Sequence, residues 1–91
     1  MSTEADHAAA VLDEQRRARR LRAIVDLTTA VLMQGRLTPQ EALEVVAAAR
    51  RGAMELFPDK EDTYEMILAP RFARLMRDFV APARVLPFRR P

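Results

Sequence analysis

Cysteine is absent from the 91 residues, so neither a disulfide framework nor a thiolate metal site can form. Tryptophan is also missing, and the single histidine, His7, and the single serine, Ser2, both lie near the start of the chain. A histidine that binds metal or moves protons needs an oriented neighbour, and a serine nucleophile needs a base. Neither has one here, so no catalytic residue, cofactor or metal is expected. Glycine occurs only at Gly35 and Gly52, isolated from each other, which excludes a phosphate-cradling loop. No apolar run approaches the ~18 residues needed to cross a bilayer. The opening Ser2-Thr3-Glu4-Ala5-Asp6 is acidic where a secretory signal would be basic, so the expectation is a cytoplasmic protein.

What is present is alanine and arginine. Sixteen residues are alanine, and fourteen of the fifteen basic residues are arginine, a bias that suits a GC-rich bacterial genome. Setting the alanines aside leaves 29 larger apolar residues. A chain of this size hides only roughly 60–65% of its unfolded surface, so a partner is a natural supplement to its stability. The net charge of +2 is unevenly spread. Residues 1–14 carry four acids and no base, residues 15–22 carry five arginines and no acid, and residues 84–91 add three arginines.

Strand patterning is nearly absent, and the apolar residues recur at helical spacing. The expected fold is therefore all-α: a small bundle of three to four helices built on an antiparallel helix hairpin, with an extended Pro/Arg tail. A first helix begins at Ser2, Thr3 or Asp6 and runs to Met33 or Gln34, with Gly35 as its stop. Its packed stripe is Ala18, Leu21, Ile24, Val25, Thr28, Val31 and Leu32. A second helix, 39–57, opens on Thr38 as N-cap, Pro39 in the first turn and Glu41 at N3, a capping box, with Leu37 stapled to Ala42. Leu43, Val46, Ala47, Met54 and Phe57 mark one side of it, widened by Ala42, Val45, Ala49, Ala53 and Leu56. Phe57-Pro58 ends this helix, and Asp59 is expected to cap the next. Its stripe of Tyr64, Ile67, Leu68, Phe72, Leu75, Met76 and Phe79 crosses Pro70: either one kinked helix spans 60–80 or two helices break at Ala69-Pro70, and a break or sharp kink is expected there. The organisation read from this is a helical extension over 1–17 that is free to fray, a bundle over 18–80, and a basic tail over 81–91.

The acids Asp59, Glu61, Asp62 and Glu65 have the alternation of a calcium loop but fail it decisively. Tyr64 stands where the loop needs glycine, and Pro70 where it needs a bidentate glutamate. Their place at a helix start accounts for them. Arg50 falls within the apolar arc of the second helix. Either its stem snorkels past the core edge, or it enters an interface and needs a carboxylate from Asp26, Glu65 or another chain.

Two functional expectations follow. The first is a non-enzymatic helical interaction module, a small adaptor or assembly subunit acting as a homodimer or hetero-complex. Its contact residues are Leu21, Val25, Val46, Arg50, Met54 and Phe57, with Val85, Leu86 and Phe88 of the tail. It gains weight from length: a helix over 3–34 spans about 48 Å and one over 39–57 about 28 Å, which leaves roughly 20 Å of the first helix unmatched. The second is a nucleic-acid-binding regulator, gripping phosphates through Arg16, Arg17, Arg19, Arg20 and Arg22 and a second stripe of Arg71, Arg74 and Arg77.

Overall fold

The computed structural model describes residues 3–80, and every regular element among them is helical. The order is α1 (Thr3–Met33), α2 (Pro39–Leu56), a short opening turn α3 (Glu61–Thr63), a π turn (Tyr64–Leu68) and α4 (Ala69–Phe79). The expected tail, with Val85, Leu86 and Phe88, lies outside the described residues.

Local chemistry sets the turn between α1 and α2. Gly35 adopts φ +70°, a conformation that costs glycine little, and its N–H donates to the Leu32 carbonyl at 3.2 Å. The chain also comes close there: a Cβ on Gly35 would lie 3.3 Å from the Phe79 carbonyl oxygen. At Thr38 the capping box is complete. The hydroxyl accepts from the Glu41 N–H at 3.1 Å, while the Glu41 carboxylate accepts from the Thr38 N–H at 2.9 Å.

The helices run up, down and up. Small residues let α1 and α2 approach closely: Ala42, Ala49 and Ala53 are buried, and a Cβ at Gly52 would meet the Ile24 side chain at 3.0 Å. Thr28 and Leu32 face them from α1, and Tyr64 and Phe72 close the third side. Leu32 and Phe72 are the largest side chains wholly removed from water, each contributing roughly 1.5–3 kcal/mol by burial.

Three local expectations need correction. Ala18 on α1 is exposed, and so are Leu43 and Ala47 on α2, which turns its alanine line rather than its Leu43 side toward α1. Asp59 does not cap the third helix. Lys60 N–H bonds back to the Phe57 carbonyl at 3.0 Å, closing a turn that places Lys60, without a side-chain cap, at the N-cap position. The break favoured at Pro70 is absent, since helix continues through Ala69 into α4. A proline ring inside an α-helix collides with the carbonyl four residues earlier and removes one donor. The wider π turn immediately before Pro70, in which Ala69 N–H reaches the Tyr64 carbonyl, relieves that conflict without leaving the helix.

The same turn rearranges the apolar stripe. In an unbroken α-helix, residues eight apart lie about 80° apart around the axis. One extra residue in a π turn brings them to within about 20°, so Tyr64 and Phe72 share a line and their ring centroids approach to 6.5 Å. Ile67 and Phe79, expected on the stripe, are instead exposed.

Candidate functional site

Arg50 joins α2 to the third helix. Its Nε donates to Glu65 at 3.0 Å and its Nη2 to Glu61 at 2.7 Å, while the guanidinium lies 5.7 Å from the Tyr64 ring centroid. Both carboxylates raise the Arg50 pKa, Glu65 most. Glu65 was among its expected partners and Glu61 was not, although two acids four residues apart necessarily share a helix face. Arg50 thus satisfies its fork within its own chain. Burial pushes the Tyr64 phenol above its ordinary 10.0, with Arg50 opposing and Glu65 adding to the shift. Tyr64 is buried, and its hydroxyl has no hydrogen-bond partner among the described residues.

Arg17 is the other arginine taken inward. Its Nη1 donates to the Leu56 carbonyl at 3.3 Å, and its guanidinium lies 5.2 Å from the Phe57 ring centroid. A cation placed there answers the unpaired carbonyls and negative dipole end of α2. Its Nε lies 3.4 Å from Asp13 Oδ2 as an ion pair. The other members of the basic segment, Arg16, Arg19, Arg20 and Arg22, are exposed and form no ion pair among the described residues. Arg71, Arg74 and Arg77 are exposed on α4, and Arg77 approaches only its neighbour Asp78, at 3.9 Å. Exposed pairs of that kind contribute little.

Where the end of α2 meets α1 and the π turn, an open apolar groove of 320 Å³ is lined by Leu21, Met54, Phe57, Tyr64, Ile67 and Leu68, with Ala53, Lys60 and Thr63. Leu21, Met54 and Phe57 were candidate contact residues and come together here. Of the remaining three on the helices, Val25 and Val46 pack partly buried against the internal core, and Arg50 is held by Glu61 and Glu65. The π-turn wall was not anticipated: Ile67 is 53% exposed, and Met66 beside it 76%. No periodicity rule places residues around a π turn that is itself set by packing.

A third surface is the start of α1. Every residue from 3 to 16 is exposed, including Val11 and Leu12, and the first residue to pack on the rest of the molecule is Arg17. About fourteen residues, or roughly 21 Å of helix, therefore project past the end of α2.

No group of three or more potential metal-ligating side chains is found among the described residues, and no helix there is long and apolar enough to cross a membrane. The chain matches no family model, no curated protein and no solved structure.

Proposed function

We propose that this chain is a non-enzymatic protein-interaction module, a small adaptor or assembly subunit working as part of an oligomer. One observation carries the reading: residues 3–16 continue α1 as helix with every side chain in solvent. Helix of about fourteen residues is marginal in water without tertiary packing, so a segment of this length gains most when another chain covers it. The apolar groove at Leu21, Phe57 and Ile67 opens at the same end of the molecule and supplies a second greasy surface.

The test is photocrosslinking in the native host, with the reactive group introduced at Leu12 and at Ile67 and the adducts read by mass spectrometry. Covalent attachment to protein is expected from both positions. Absence of any protein adduct at either position would sink the reading.

A second reading, nucleic-acid binding, draws on Arg16, Arg19, Arg20 and Arg22, exposed and without carboxylate partners among the described residues. It requires retention on duplex DNA at low salt that falls steeply as salt rises.

A further inference from the structure

We propose that the partner of α1 is a second copy of this chain, docked antiparallel on the outer face of α1 and crossing it near residue 13. This rests on the interaction-module reading and names its occupant.

Glu4, Ala8, Val11, Gln15, Ala18 and Arg22 follow one another at alternating spacings of four and three. That alternation keeps one seam of a helix turned toward a neighbour. All six are exposed. In a straight helix the middle of the seam lies about 120° around the axis from Thr28 and about 80° from Leu32, the two buried residues of α1, so a second helix lies on it beside the bundle.

The spacings read the same in both directions about residue 13. An antiparallel copy therefore sets Glu4 beside Arg22 of the other copy, Ala8 beside Ala18, and Val11 beside Gln15. The alanine layers let the backbones approach closely, and Leu12, half exposed at 50% on the flank of the seam, meets its own counterpart near the centre.

Charge decides the orientation. The first half of this stretch, residues 3–14, carries four acids and no base, and the second, residues 15–22, carries five arginines and no acid. A parallel pair would lay like charge on like. An antiparallel pair lays the acidic half of each copy on the basic half of the other, at both ends. The charges are available for it: of the nine, only Asp13 and Arg17 form an ion pair among the described residues. Two copies so arranged overlap along about 28 Å and leave their bundles at opposite ends.

The experiment is sedimentation equilibrium of the full chain with two sets of exposed-charge reversals. One carries Glu4→Arg, Asp6→Arg and Glu14→Arg. The other carries Arg16→Glu, Arg19→Glu, Arg20→Glu and Arg22→Glu, sparing the packed Arg17. The unaltered chain should dimerise, about tenfold or more weakly at high salt than at low. Each set alone should weaken association at least about a hundredfold, because like charges are then juxtaposed. An equal mixture of the two sets should restore the dimer mass, which also shows that both fold. A chain monomeric at every concentration overturns the pairing, as do a dimer indifferent to both reversals and a mixture that stays monomeric. If Leu12 crosslinks only to a different protein, the second-copy inference fails while the interaction-module reading stands. Salt-sensitive DNA binding without self-association overturns the pairing and favours the regulator reading instead.

Discussion

The Tyr64 phenol carries the signature of Arg50 beside its ring. The phenol is held above its ordinary 10.0 first by burial, then by Glu65, while the Arg50 cation pulls the other way by favouring phenolate. Tyr64 is the only tyrosine, and tryptophan is absent, so ultraviolet absorbance of the phenolate reports this one group. Its titration midpoint should lie above 10.0 in the folded chain and return to about 10 in denaturant. Arg50→Ala should move the folded midpoint further up, and a midpoint that falls or stays would refute the assignment. The sign of the linkage follows. Because the folded pKa is raised, Tyr64 contributes its full stabilisation below about pH 10, and that contribution is lost as pH rises through the folded value. Denaturant midpoints should accordingly decline above about pH 10, and a midpoint that held steady through the phenol titration would contradict the shift.

At the level of the element, the third helix separates what its sequence displays from what packing imposes. Gly35, Thr38, Pro39 and Glu41 act within a few residues of themselves, so the hairpin, its stop and its capping box were all readable along the chain. The π turn was not. It depends on Pro70 refusing an α-helical carbonyl and on Tyr64 and Phe72 both being drawn onto the same core, a conflict visible only once α1 and α2 are in place. For the same reason nothing along the chain marks Ile67 as a groove wall, whereas helical spacing alone brings out Leu21, Met54 and Phe57. If the turn holds one residue beyond α-helical register, removing that residue is harmless. Deleting Met66, exposed within the turn, together with Pro70→Ala should leave Tyr64 and Phe72 seven apart, still aligned within about 20°, and preserve cooperative melting by circular dichroism. Deleting Ala73 instead rotates Leu75 and Met76 about 100° off the core and should cost several kcal/mol. Equal damage from the two deletions would show that the turn is no insertion.

The molecule as a whole is unevenly stabilised along α1. From Arg17 onward the helix leans on α2 and α4, and its amides open only with the structure that covers them. Before Arg17 it has only its own backbone bonds and exposed side chains such as Ala8, Ala9, Val11 and Leu12, so opening is local and costs little. Hydrogen exchange resolved along the chain should therefore show a step near residue 17 in dilute solution. Amides over 3–16 should exchange within about tenfold of free peptide, and those over 21–33 at least about a thousandfold more slowly. For a chain that stays monomeric, raising the protein concentration leaves both groups unchanged. If the outer face of α1 pairs with another copy, the same increase must slow the first group, and the gain should vanish at high salt, where the acid-to-arginine attraction is screened. A segment equally protected at every concentration would instead be a helix stable by itself, and its exposed length would then give no reason to expect a companion.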